Sequence, residues 1–243
     1  MLDFIGHVVG LTAIAINLVA MTNVLPLSFR QKVTLGGGVG AWVGLATALA
    51  AAGALTFSPE HPVPLVGVFF TLPLLGTALA WRLLPKVRAA LLSIPMPLLI
   101  GLHTARVLGI LFLFLAAAGR LSGPFPYFAG IGDIITGAAA LPLALSVARS
   151  AQDHSRRIAV WNAFGALDLF TAVGLGITSA QGSPLQLIHA GAGSFAMQYL
   201  PYALVPTVLV PFYLITHGIV AAQLRASSTA GRAASLRTAS ALQ

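Results

Sequence analysis

Seven stretches of the chain run for about twenty residues almost without a charge, and short polar segments separate them. Each is long enough for an α-helix to cross a hydrocarbon core of ~30 Å at ~1.5 Å per residue. The spans fall at about 4–28, 33–57, 62–82, 96–118, 126–148, 158–179 and 200–222. None alternates apolar and polar residues with period two, which sets aside membrane strands. The pattern predicts an all-α, polytopic transmembrane helix bundle forming one domain over 1–225. A low-complexity, disordered cytoplasmic tail is expected over 226–243.

Charge then orients the bundle. Arg30, Lys32, Arg82, Lys86, Arg88, Arg149, Arg156, Arg157, Arg225, Arg232 and Arg237 follow the odd-numbered spans, while Arg120 alone follows an even one. By the positive-inside rule the N-terminus lies outside and the C-terminus in the cytoplasm, as in a multi-pass protein of the bacterial inner membrane. The formal net charge of +8 is thereby a topology signal facing anionic lipid, with no nucleic-acid partner implied. The absence of cysteine excludes disulfides, iron–sulfur clusters, thiolate nucleophiles and c-type haem. The N-terminus has no basic leader segment and carries Asp3, so the first span is expected to be retained.

Within this apolar frame a few polar residues sit at membrane depth. Arg106 lies well inside the fourth span with His103 one turn earlier, and an arginine in hydrocarbon must find a partner. The later spans supply Asp133, Asn162, Asp168, Tyr213 and His217. By helical rise, Arg106 and Asp168 come to similar central depth, Asp133 higher, and His103, Asn162 and His217 lower. Arg106 is therefore expected to pair with Asp168, with Asp133 close enough to compete. On the structural reading this is an ion pair that fixes packing, and removing one partner costs ~3–5 kcal/mol. On the functional reading the leftover carboxylate and a histidine belong to a proton or ion path.

Small residues and prolines add detail. Gly36, Gly40 and Gly44 recur at spacing four in the second span and predict a close helix contact, with a neighbour in the chain or with a second copy. They are no phosphate loop, since no Gly-Lys-Ser/Thr follows. Gly130, Gly132 and Gly137 surround Asp133, and Trp161, Gly165 and Asp168 share a stripe of the sixth span. Pro206 and Pro211 free the carbonyls of Tyr202 and Thr207, which could line a polar pocket beside Tyr213 and His217. Residues 83–95 read either as an interfacial helix or as an early start to the fourth span, and 180–199 as a loop or a shallow re-entrant cap.

Several classes can be weighed on these residues. A small transporter or permease for a small molecule, proton or ion accounts best for charges at mid-membrane beside broken helices, although no internal repeat shows. A haem b protein with His103 and His217 as axial ligands is an alternative; no other cofactor and no metal is expected. An accessory or assembly subunit, or a homo-oligomer, would use the glycine face of the second span. No HExxH, GxSxG or paired-aspartate motif argues for an enzyme. Lys32 and Lys86 lie in loops, so no lysine could hold retinal inside the bundle.

The motifs Arg106-x2-Gly109, Gly130-Ile-Gly132-Asp133, Trp161-Asn162-x2-Gly165-x2-Asp168 and Pro206…Pro211…His217 carry one further signal. Over about Pro95 to Ala222 the chain resembles a family of uncharacterised bacterial multi-pass integral membrane proteins. That resemblance implies a helical membrane fold and brings no activity with it.

Overall fold

The computed structural model describes residues 1–57, 65–149 and 154–240, with side chains described up to residue 229. The regular structure of the described residues is all helical, and seven of the helices are long and apolar enough to cross a membrane. We number them α1 (Leu2–Val24), α2 (Phe29–Ala51), α3 (Leu65–Leu83), the short α4 (Pro85–Leu92), α5 (Met96–Ala117), α6 (Phe125–Arg149) and α7 (Ser155–Thr178). The last, α8, opens as a π-helical turn over Val205–Leu209 and continues over Val210–Ser240.

Local chemistry sets several boundaries that hydropathy blurs. The second span starts four residues before the expected 33, because Ser28 and Gln31 form a capping box that satisfies the first free N–H groups. It stops at Ala51, short of 57. Gly53 adopts φ +73°, and Ala54 N–H reaches back to Leu49 O (2.9 Å) in a Schellman closure. Gly119, with φ +69°, closes α5 in the same way through Arg120 N–H to Leu115 O. The expected start of the third span at 62 lies outside the described residues.

Residues 83–95 hold a separate helix rather than an early start to α5. Pro85 sits in the first turn of α4, no α4 residue is buried, and Gln223 Nε2 donates to Leu92 O (3.0 Å) and Ile94 O (2.8 Å) across the break before α5. At the other extremity α8 continues to Ser240, past the span end near 222. Most of the tail expected to be disordered is thus helical, because it is rich in alanine and lacks proline. Residues 241–243 of that tail lie outside the described residues.

The centre of the bundle is α5, α6 and α7, closed by α8. Helices α2 and α3 are peripheral: α2 buries only Ala46 and Ala50, and α3 only Phe69. Trp42 anchors α2, with its ring 4.4 Å from that of Phe69 and its Nε1–H donating to Thr207 O at 3.1 Å. That carbonyl is one of the two freed by proline, so its role here is to dock a helix. The other, Tyr202 O, accepts from Val205 N–H at 3.0 Å. Neither is left unsatisfied to line a pocket.

The glycine stripe of α2 behaves differently from the expectation of a contact inside the chain. A methyl group built on Gly36, Gly40 or Gly44 meets no atom within 4 Å. Spacing by four defines a face but does not say what covers it. In this chain the face toward α8 carries Trp42, Ala46 and Ala50 instead.

Residues 179–204 fold back over the end of the bundle that carries Met1. The side-chain Oε1 of Gln198 accepts from Phe57 N–H (2.9 Å), and Ser194 Oγ donates to Gly176 O (2.6 Å). At the same end, on α1, Asp3 pairs with Arg120 at 2.6 Å.

Candidate functional site

The site begins in an interruption of α5. Residues His103–Gly109 form a 3₁₀ helix between two α-helical segments, and its buried members are His103, Arg106 and Gly109. Three residues per turn brings side chains at i and i+3 into line, whereas an α-helix would rotate them apart. All three therefore face α6, α7 and α8 together.

Glycines let the backbones close around this segment. A methyl on Gly137 would stand 2.5 Å from Val107 N, one on Gly130 would stand 2.9 Å from Gly109 O, and one on Gly109 would stand 2.5 Å from Asp133 Cβ. On α7, a methyl on Gly165 would stand 2.7 Å from His217 Cε1. The Asp168 carboxylate occupies the space beside Gly132 that any Cβ would fill. Real Cβ atoms cannot approach so closely, and such small-residue contacts are how membrane helices pack at short range.

Arg106, only 3% exposed, spreads its guanidinium over this junction. Nε donates to Asp133 Oδ1 at 2.6 Å and Nη2 to Asp168 Oδ2 at 2.5 Å. Nη1 donates to Gly165 O and to His217 Nε2, each at 3.1 Å. The sequence leaves the partner of Arg106 open between two aspartates. Both are partners, because a planar fork of five N–H donors can serve two carboxylates at once.

His217 is held from its other side, where Nδ1 lies 2.8 Å from Asn162 Oδ1. The amide oxygen can only accept, so Nδ1 carries the proton and Nε2 presents its lone pair to Arg106. His217 is thus a neutral acceptor in this arrangement. A second proton on it would oppose an arginine N–H.

His103 is fully buried against Trp161, Tyr213 and His217, with ring centroids 5.1, 4.9 and 4.2 Å away. Its Nε2 lies 2.9 Å from Thr216 Oγ1, which is itself bonded to Tyr213 O (2.8 Å). Tyr213 OH accepts from Asn17 Nδ2 of α1 at 3.1 Å. A haem between His103 and His217 would have to separate rings that are in contact, and ligation through His217 Nε2 would displace Arg106 while leaving Nδ1–H on Asn162. No group of three or more His, Cys, Asp or Glu placed to hold a metal occurs among the described residues.

Arg106, Asp133, Asp168, Asn162, His103, His217 and Tyr213 therefore meet in one cluster. Sequence reasoning missed Asn17, Thr216, Thr136 and the Gly165 carbonyl. Asn17 is 3% exposed in the middle of the first span, and a polar side chain at that depth was the signal available. Thr136 offers its backbone oxygen to Trp161 Nε1–H at 3.1 Å, which locks the Trp161 ring beside His103.

A cavity of about 70 Å³ adjoins the cluster on the side of the bundle end that holds Met1. It is lined by Arg106, Asp133 and Tyr213 of the cluster, by Gly6 and Gly10 of α1, and by Tyr202. The remaining lining is largely apolar.

Fold and site together define a class: an all-helical membrane protein in which a buried arginine bridges two aspartates and a neutral histidine. The chain belongs to a family described as a domain of unknown function (DUF8737), whose model matches residues 63–225. Every residue of the cluster except Asn17 lies inside that match. No curated protein and no solved structure matches the chain.

Proposed function

We propose that this protein is a small transporter or permease of the bacterial inner membrane, and that its Arg106–Asp133–Asp168 centre carries a proton or a small cation. The observation that supports this most is a charge imbalance at a cavity. Two carboxylates contact one guanidinium, and the neighbouring His217 is held neutral, so one formal negative charge is left over. Uncompensated charge in hydrocarbon is costly, and a proton or cation bound by the carboxylates removes it. Asp133 is the carboxylate that borders the cavity, which makes it the group to load and unload.

Purified protein in liposomes with an entrapped pH indicator tests the reading. The wild type is expected to dissipate an imposed pH gradient at least ten-fold faster than Asp133→Asn, with both variants equally monodisperse in detergent. Equal rates sink the proposal.

The orientation belongs to the same reading, with the N-terminus outside and the C-terminus in the cytoplasm, on the strength of the eleven-to-one distribution of loop cations. Reporter fusions after Gln243 and within residues 120–124 should report opposite sides. A C-terminus on the outer side would reverse the direction assigned to the cavity. An accessory subunit or a homo-oligomer is favoured by one observation, the uncovered Gly36–Gly40–Gly44 face of α2. A second polypeptide, or a second copy, retained stoichiometrically through purification would support it.

A further inference from the structure

Asp133 meets the cavity with half of its carboxylate unused. Its Oδ1 accepts from Arg106 Nε at 2.6 Å, whereas Oδ2 accepts no hydrogen bond among the described residues and is not sealed off by them. The Asp133 side chain is 17% exposed, against 8% for Asp168 and 1% for Arg106, and of the two carboxylates it is the one that lines the cavity. The single charge of Arg106 is divided between both aspartates, and the negative charge left over therefore has an open oxygen beside an open space.

The rest of the wall decides what can sit against that oxygen. Apart from Arg106, Asp133, Tyr202 and Tyr213, every residue lining the cavity is apolar or glycine. The Tyr202 hydroxyl is closed off within the protein, and the Tyr213 hydroxyl already accepts from Asn17 Nδ2 at 3.1 Å. A hard metal cation wants about six oxygen ligands, more than this wall can offer. Ammonium would turn most of its four N–H donors to hydrocarbon, and buried donors without acceptors are costly. A proton needs one oxygen and no room at all. A short alkylammonium suits both sides of the cavity, with its –NH₃⁺ on the carboxylate and its alkyl end against the apolar wall.

Volume sets the length of that alkyl end. A cavity of ~150 Å³ takes benzene, which is ~25 Å³ for each heavy atom. At about 70 Å³ the cavity takes roughly three heavy atoms. Ethylammonium has three and methylammonium two.

We propose that the cation carried by the centre is a short primary alkylammonium, bound in this cavity by the free oxygen of Asp133. The inference rests on the transporter reading above and adds the class of substrate. The amine crosses through the protein as R–NH₃⁺, and its free base R–NH₂ returns through the lipid. One proton moves per cycle, and no covalent bond other than N–H changes.

Binding tests the substrate class without requiring transport. Purified protein in detergent, immobilised on scintillation beads, is titrated with radiolabelled methylammonium. The wild type is expected to bind it saturably, one per chain, and Asp133→Asn to weaken binding at least ten-fold while staying monodisperse. Ethylammonium should displace the label. Tetramethylammonium, which is too large and has no N–H, should not, and neither should Na⁺ at the same concentration. This competition series uses the wild type alone, so it decides even where Asp133→Asn fails to fold.

No saturable binding by the wild type overturns the proposal. Displacement by Na⁺ as effective as by ethylammonium overturns the alkyl preference, and displacement by tetramethylammonium overturns the placement in this cavity. The pH-gradient assay separates this inference from the reading beneath it. Asp133-dependent dissipation in amine-free liposomes makes the proton itself the ion, which overturns the substrate class and leaves the transporter standing. Asp133-dependent binding with no dissipation, whether or not the amine is present, removes transport and leaves the alkylammonium site.

Discussion

Arg106→Leu is expected to remove most of the folded protein from a detergent extract, and to cost what survives ~3–5 kcal/mol of stability. The loss exceeds that of a hydrogen bond because two carboxylates, 17% and 8% exposed, are left facing each other without a cation. Gly165 O and the lone pair of His217 lose their donors as well. The triple change Arg106→Leu, Asp133→Asn, Asp168→Asn should recover much of the stability, since the stranded charges leave with their partner. Thermal unfolding of the single, the two doubles and the triple measures the coupling. Neutralising one aspartate should recover less than neutralising both. If the losses simply add, the guanidinium does not hold the two carboxylates together.

Gly132→Ala carries the second large effect, from a single methyl group. The added Cβ falls on the Asp168 carboxylate, and neither α6 nor α7 can yield without opening the contacts at Gly130, Gly137 and Gly165. Overpacking of this kind costs ~1–3 kcal/mol, and here it also pulls Asp168 off Arg106 Nη2. Gly40→Leu, a far bulkier change, should stay within ~0.5 kcal/mol, because nothing lies within 4 Å of that position. Yield and unfolding temperature of the two variants decide the order. A costlier Gly40→Leu would mean that the α2 stripe is covered by a partner in the purified protein.

That contrast shows where the sequence is legible and where it is not. The spans are legible because a bilayer demands about twenty apolar residues, and a charge inside them stands out against that demand. Arg106, Asp133, Asp168, Asn162, His103 and His217 are all found in this way. Depth along a helix follows from counting residues, which is why their meeting could be anticipated.

Facing does not follow from counting. In lipid both sides of a helix are apolar, so the glycines of α2 and those of α6 read alike, although the first meet nothing and the second touch backbone at Gly130 and Gly137 and a carboxylate at Gly132. The α2 boundaries were also available in Ser28-x2-Gln31 and Gly53, but hydropathy outweighed them. What no pattern announced was the 3₁₀ winding of α5. Nothing about His103-Thr-Ala-Arg-Val-Leu-Gly109 disfavours an α-helix, and the winding is imposed by the neighbours that His103, Arg106 and Gly109 must each meet.

That winding has a mechanical consequence. A 3₁₀ helix rises ~2.0 Å per residue against ~1.5 Å in an α-helix, and turns ~120° per residue against ~100°. Over the seven residues of His103–Gly109 the difference amounts to roughly 3.5 Å of length and ~140° of rotation. Rewinding the segment would draw the two halves of α5 together like a screw. It would swing His103, Arg106 and Gly109 out of register in one movement, pulling Arg106 from both aspartates at the moment Gly109 leaves Asp133. The geometry of the charged centre thus depends on this winding, because His103, Arg106 and Gly109 share one side only where three residues make a turn.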